Sequence, residues 1–108
     1  MAMDRRSVLV FLNISPSYFN EELAFFTEHA KAEGRTLVPY THPDYPGEYG
    51  YVCTGADDSL VDSAKFLVRR HDYIRLWVFS ESDFVLPREI NNPNSLDNLV
   101  STHRALSG

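Results

Sequence analysis

Glu81 and Asp83 are two carboxylates that stand two residues apart, directly after an apolar run, and could support acid–base chemistry. One could act as a general base while the other orients a substrate hydroxyl, and His42 is the histidine best placed for proton transfer. The three residues together predict a small enzyme that acts on a nucleoside, nucleotide or sugar. Because acidic residues are common in loops after strands, the same positions are also compatible with ordinary solvated loop residues that have no catalytic role.

The segment of residues 41–58, THPDYPGEYGYVCTGADD, combines turn-forming residues with three tyrosines. Proline and glycine fix turns, while tyrosine offers an aromatic surface and a hydroxyl at low conformational cost. This composition favours recognition of a partner. The alternative interpretation is that the tyrosines fold back over the sheet and that residues 49–54 form a short extra edge strand. Candidate binding residues, in this segment and after the predicted strands, are Asn13, Ser15, Asp44, Tyr45, Tyr49, Tyr51 and Ser80.

Motifs for nucleotide and metal sites are missing from the sequence. It contains neither G-x-G-x-x-G after the first strand nor G-x-x-x-x-G-K-[ST] anywhere, which disfavours dinucleotide and triphosphate sites of those kinds. Cys53 is the single cysteine, so it cannot form an internal disulfide, and with His42 it gives no recognisable zinc spacing. We therefore expect neither a metal nor a cofactor.

Three runs of β-prone residues must position these side chains. Residues 7–14 and 73–80 are apolar runs typical of buried strands, and residues 35–40 form a weaker run. Pro39 lacks the N–H that a central strand needs, which places the second strand at an edge or ends it early. Alternation in the third run predicts an aliphatic face and an amphipathic face, the second formed by Tyr73, Arg75, Trp77 and Phe79.

Helices are predicted between and after the strands. Ser15 provides an N-cap before a proline, and apolar residues recur at helical spacing until Gly34. Thr54 and Asp57 stand three apart, as in a capping box, and predict the start of a second helix. A last helix is predicted after residue 94. The residues expected to be almost fully buried are Val8, Val10, Leu12, Phe26, Leu67, Leu76 and Val78.

The alternation of strands and helices predicts a single α/β domain over residues 1–108. Right-handed crossovers usually join parallel strands, so we expect a small three-layer fold with a mostly parallel sheet of three to four strands, in the order 2-1-3, and about three helices. Ligands of such sheets bind at the carboxyl ends of the strands. That rim would bring Asn13, His42 and Ser80 together beside the tyrosine-containing loop.

The composition limits the partners. The chain has 108 residues and a formal net charge of −5, which disfavours nucleic acid, and no apolar run reaches the ~20 residues that span a bilayer. The start lacks the cleavage pattern of a signal peptide, which favours the cytoplasm. We therefore predict a small, acidic, soluble binding or regulatory module. It would recognise a protein partner or a small polar ligand through the Tyr/Pro/Gly-rich loop and the rim, with the small enzyme as the alternative.

Overall fold

The computed structural model of the chain describes residues 6–80, 100–103, 105 and 106. Apart from one short 3₁₀ turn, its elements follow the order strand, helix, helix, strand, strand, helix, strand. Residues 100–102 are also helical. In chain order the elements are β1 (Ser7–Leu12), a 3₁₀ turn (Pro16–Tyr18), α1 (Phe19–Glu22), α2 (Ala24–Ala32), β2 (Val38–Thr41), β3 (Tyr49–Ala56), α3 (Asp58–Arg70) and β4 (Arg75–Ser80).

The strands form one sheet in which every neighbouring pair is antiparallel. Their spatial order is β2-β3-β1-β4. Ser7 at the start of β1 lies opposite both Ala56 at the end of β3 and Ser80 at the end of β4. The predicted mostly parallel sheet with the order 2-1-3 is therefore wrong. The edge position that Pro39 predicted for the second strand is confirmed, because β2 is an edge strand of this sheet.

The antiparallel sheet arises because each strand–helix–strand crossover skips one position. β1 and β2 run parallel, but β3 lies between them, and β3 and β4 run parallel with β1 between them. Residues 49–56 form a full central strand rather than the loop or short edge strand that the sequence predicted. This connectivity is that of the ferredoxin-like, or split βαβ, motif.

The two faces of the sheet have different coverings. On one face, Leu9, Phe11 and Leu76 pack with the apolar stripes of α2 and α3 in one buried cluster. On the other face, a second cluster is covered by the loop after β2 and by residues 100–103 and 105. The members of this second cluster are Val8, Val10, Leu12, Val52, Trp77, Phe79 and Val100, with Tyr40, Tyr45 and Ala105 packed against them.

The first predicted helix is divided into three pieces. Ser15 caps the 3₁₀ turn, with its hydroxyl accepting the N–H of Ser17 at 3.3 Å. Leu23 interrupts the helix with φ −110° and ψ 14°, which separates α1 from α2. Gly34 ends α2 at φ 74°, and the N–H of Arg35 bonds to the carbonyl of Ala30, as in a Schellman motif. The predicted start and end of the helix are therefore correct, although the helix between them is not continuous.

The start of α3 is fixed by one carboxylate. The side chain of Asp57 accepts the N–H of Leu60 at 2.9 Å, which makes Asp57 the N-cap. Thr54, which the sequence paired with it in a capping box, belongs to β3. The box was wrong because the strand continues to Ala56, and the helix can begin only after it.

Most of the predicted core is confirmed. Val8, Val10 and Leu12 are fully buried because β1 is central and both of its faces are covered. Phe26, Leu67 and Leu76 are also buried. Val78 is half-buried, so that prediction was wrong: it lies in β4, the other edge strand, and only partly packs against the helix-side cluster.

Candidate functional site

A cleft of about 670 Å³ opens beside the start of β4, between the loop after β2 and residues 100–103, 105 and 106, which we call the C-terminal segment. It is called the Trp77 cleft below. Pockets of this volume accommodate a small ligand or the side chains of a partner. Its lining residues are Asn13, Tyr45, Asp72, Tyr73, Ile74, Arg75, Trp77, His103 and Ala105.

Aromatic rings and a guanidinium group form the centre of the Trp77 cleft. The rings of Tyr45 and Trp77 meet edge to face with centroids 6.0 Å apart. The guanidinium carbon of Arg75 lies 5.5 Å from the Tyr45 ring centroid, and its Nε donates to Glu48 Oε1 at 3.2 Å. The indole N–H of Trp77 donates to the backbone carbonyl of His103 at 2.9 Å, so the tryptophan attaches the C-terminal segment to the sheet.

Asn13 shapes the base of the Trp77 cleft through its backbone. Its φ of 68° lies in the left-handed region, which asparagine tolerates better than most residues, and this turns the chain after β1. Its side-chain amide donates to the backbone carbonyl of Tyr73 at 2.8 Å. Asn13 therefore ties the turn after β1 to the segment before β4, and it lines the same cleft as Tyr45.

His42, Asp44 and Ser101 form a hydrogen-bonded group behind Tyr45. The Nδ1 atom of His42 accepts the N–H of Asp44 at 3.0 Å, which assigns the ring proton to Nε2. Nε2 then donates to the Ser101 hydroxyl at 3.1 Å, and that hydroxyl donates to Asp44 Oδ2 at 3.2 Å. The buried imidazole is thus satisfied on both nitrogens.

This group has the residue types of a Ser–His–Asp triad without its proton pathway. In a triad the serine donates to the imidazole, and the acid accepts from the other ring nitrogen. Here His42 donates to Ser101, and its second nitrogen accepts a backbone N–H. The arrangement suits a structural link that joins the loop after β2 to the C-terminal segment. The ring of His42 also packs 5.3 Å from that of Tyr45, which holds the tyrosine in place.

The three tyrosines of residues 41–58 lie in three different environments. Tyr45 packs against the second cluster, on the face of the sheet away from the helices. Tyr51 is buried under the helices, with its ring centroid 4.1 Å from that of Phe19, and burial followed by the charge of Glu22 raises its pKa. Tyr49 is exposed at the start of β3. Of the three, Tyr45 is the one that lines the Trp77 cleft.

The predicted rim of carboxyl strand ends does not exist as one edge. Because β4 is antiparallel to β1, Ser80 lies beside Ser7, about five residues or roughly 17 Å along the sheet from the end of β1. Asn13, by contrast, lies at the same end of the sheet as the loop after β2. Ser15 caps the 3₁₀ turn. Glu81 and Asp83 lie outside the described residues, so their predicted catalytic role stays a prediction.

Several lining residues of the Trp77 cleft were not among the predicted site residues. Tyr73, Arg75 and Trp77 belong to the face of the third predicted strand that the sequence showed to be amphipathic. Strand faces that pack on a core rarely carry an arginine between two aromatic residues. This pattern was the signal that could have identified the three residues as part of a site. His103 had no such signal, because its position depends on how the C-terminal segment crosses the sheet.

The described part of the chain has neither a metal-binding cluster nor a membrane-spanning helix. No group of three His, Cys, Asp or Glu side chains in residues 6–80, 100–103, 105 and 106 is placed to hold a metal ion. None of the described helices has the length and apolar character needed to cross a membrane. Comparisons with protein-family models, with curated proteins and with solved structures find no match to this chain.

Proposed function

We propose that the chain is a binding module that recognises a protein partner at the Trp77 cleft, with Tyr45 as the main anchor. The observation that carries this proposal is the grouping of Tyr45, Tyr73, Arg75 and Trp77 around one cleft. Tyrosine and arginine supply a disproportionate share of binding energy at protein interfaces, especially where they form a pocket. Trp77 is buried and contributes by packing against the ring of Tyr45. The fold itself carries no weight here, because one fold serves many functions.

The exposed side chains of the cleft could give up their contacts within the chain and contact a partner instead, with little loss of stability. The side chain of Arg75 is 48% exposed, and its ion pair with Glu48 is of the surface type that contributes little to stability. A carboxylate of a partner could therefore replace Glu48 on the guanidinium. Tyr73 lines the cleft and is 45% exposed, so a partner can contact its ring.

The walls of the cleft are held in place before any partner arrives. The loop after β2 is fixed through His42, Asp44 and Ser101, while the opposite wall is fixed by the Trp77 hydrogen bond to His103. Such preorganisation supports tight binding because less conformational freedom is lost on association.

Two substitutions separate this proposal from the small enzyme. In a pull-down of partners followed by affinity measurement on the recovered protein, Tyr45→Ala should weaken binding by ~2 kcal/mol or about 30-fold. Glu81→Gln should bind like the parent chain. Tyr49→Ala is the matched control, because Tyr49 is an exposed tyrosine of the same segment that does not line the cleft.

The opposite pattern would support the enzyme. In a thermal-shift panel of nucleosides, nucleotides and sugars, a compound that binds the folded chain raises the midpoint of unfolding. A compound whose stabilising effect is lost in Glu81→Gln and kept in Tyr45→Ala would indicate a catalytic carboxylate site. Equal partner binding by Tyr45→Ala and the parent chain would remove the Trp77 cleft as the recognition surface.

A further inference from the structure

A second cavity of about 330 Å³ lies on the other side of Tyr73, against α1. Its lining differs from that of the Trp77 cleft, because it combines two aromatic phenols with two carboxylates and one imidazole. Tyr73 lines both cavities, while the remaining lining residues belong to this cavity. The lining residues are Tyr18, Glu21, Glu22, His71 and Tyr73, and the cavity is called the Glu22 cavity below.

Glu22 carries a negative charge that the described residues do not neutralise. Its Oε1 atom accepts the hydroxyl of Tyr73 at 3.0 Å. Its Oε2 atom is buried, and no described residue donates a hydrogen bond to it. None of the described Lys, Arg or His side chains forms an ion pair with Glu22. Because Oε2 is enclosed by protein, a cation in the cavity would be attracted to this charge through space, and the surrounding protein screens the charge less than bulk water would.

The tyrosine rings at the cavity face solvent. Tyr18 is 55% exposed and Tyr73 is 45% exposed, so an incoming group can reach both rings. Burial, and next the hydrogen bond to Glu22, raise the pKa of Tyr73, which keeps its hydroxyl protonated as the donor to that carboxylate. Tyrosine faces attract cations through the negative electrostatic potential of the ring, and aromatic rings around an ammonium group are an established mode of recognition.

We propose that the Glu22 cavity binds an organic ammonium group. The rings of Tyr18 and Tyr73 would contact its methyl or methylene groups, and Glu21 and Glu22 would supply the opposite charge. The volume is at the small end for ligand pockets, which suits a trimethylammonium or a lysine head group rather than a larger ligand. The ammonium could belong to a free small molecule or to a lysine side chain of a protein.

Choline and its neutral isostere test the site directly. In an NMR titration of the ¹⁵N-labelled chain, choline should shift the amide signals of Tyr18, Glu22 and Tyr73 in a saturable way. The isostere 3,3-dimethylbutan-1-ol has the same shape without the charge and should leave those signals in place. Equal shifts by the two compounds, or none by choline, would overturn the proposal.

Matched variants distinguish binding of choline in the Glu22 cavity from non-specific attraction of a cation to an acidic chain. Glu22→Gln should weaken choline binding by at least ~5-fold, whereas Glu28→Gln, which removes the same charge from an exposed site on α2 outside the cavity, should change it by less than ~2-fold. Tyr18→Ala should also weaken binding by ~5-fold, with Tyr49→Ala as the control. Tyr18 is exposed, so its replacement leaves the fold intact even if Glu22→Gln destabilises it. Equal effects of Glu22→Gln and Glu28→Gln, together with no effect of Tyr18→Ala, would contradict the site.

A third pair of probes identifies the source of the ammonium group. Blocked lysine amide and its trimethylated form represent a protein side chain, and choline represents a free molecule. Tighter binding of either lysine probe than of choline supports recognition of a protein, and the reverse order supports a small-molecule ligand. The variants leave Tyr73 unchanged and do not touch the other residues of the Trp77 cleft, so a failure here is distinguishable from a failure of the proposed partner surface.

Discussion

Gly50 shows how closely the two central strands approach one another. It is buried in β3, where an added Cβ would overlap the backbone carbonyl oxygen of Phe11 and lie 2.8 Å from a methyl carbon of Leu12. The first of these neighbours is backbone in the central strand β1 and cannot move aside alone. Only glycine, which has no Cβ, fits this position without displacing β1.

Gly50→Ala should therefore be among the more destabilising single substitutions in the chain. We expect it to lower the free energy of unfolding by on the order of 2 kcal/mol or more, measured by urea denaturation. Gly47→Ala is the matched control: Gly47 has φ 83° and open space around its Cβ position, so only backbone strain of about 1 kcal/mol is expected. A Gly50→Ala cost no larger than the Gly47→Ala cost would show that β1 can shift to accommodate the methyl group.

At the scale of elements, the N-cap of α3 makes a simple test of local structure. Asp57→Ala removes the carboxylate that accepts the N–H of Leu60. We expect the free energy of unfolding to fall by about 1 kcal/mol, because one N-terminal N–H of the helix loses its partner and the helix dipole loses a nearby negative charge.

The control for this substitution is an acidic residue of the same helix that caps nothing. Asp62 is exposed in the middle of α3, so Asp62→Ala should change the free energy of unfolding by less than about 0.5 kcal/mol. If both variants behave alike, the helix begins at a residue other than the one the Asp57 hydrogen bond indicates.

The elements could largely be predicted from the sequence, since their signals are local. The apolar stripe from Leu60 to Val68, the stop at Gly34 and the proline in β2 each act within a few residues, and the structure confirms all three. Residues 49–56 were misjudged because the glycines and prolines in and around them favour turns, while the strand depends on pairing with β1 and β2.

The candidate site was harder to predict than the elements. His42 was predicted for proton transfer. Its role depends on the partner of each ring nitrogen, which are the N–H of Asp44 and the hydroxyl of Ser101. Ser101 is distant in the sequence, so this pairing could not be predicted. The rim failed for a related reason. Asn13 and Ser80 would meet only in a parallel sheet, and strand direction is decided by where β3 inserts rather than by any residue near either side chain.

At the scale of the whole molecule, the buried thiol of Cys53 links stability to pH. Burial raises its pKa to about 11, against an ordinary value of 9.0, because the thiolate would lose its hydration in the helix-side core, and the charge of Arg35 offsets only part of this. Well below pH 9 the thiol is protonated in both the folded and the unfolded state. As pH rises from about 9 to about 11, the unfolded chain loses this proton first, so the free energy of unfolding should fall.

Urea denaturation at pH about 8 and about 10.5 measures this effect. Tyrosine and lysine residues also titrate in this range, so the comparison is made against Cys53→Ala, which keeps them and removes the thiol. The parent chain should lose more stability between the two pH values than the variant. The same loss in both proteins would mean that Cys53 does not contribute to the pH dependence.

The central position of β1 also bears on how the protein is made. Phe11 in β1 pairs with Tyr51 on one side and with Leu76 on the other. Both partners come later in the chain, so β1 leaves the ribosome before the strands that flank it. During synthesis the segment VLVFL is therefore exposed for a time with the N–H and C=O groups of both its edges unpaired. Apolar strands in this state associate with other chains. We expect this interval, rather than the finished fold, to be when the protein depends most on chaperones.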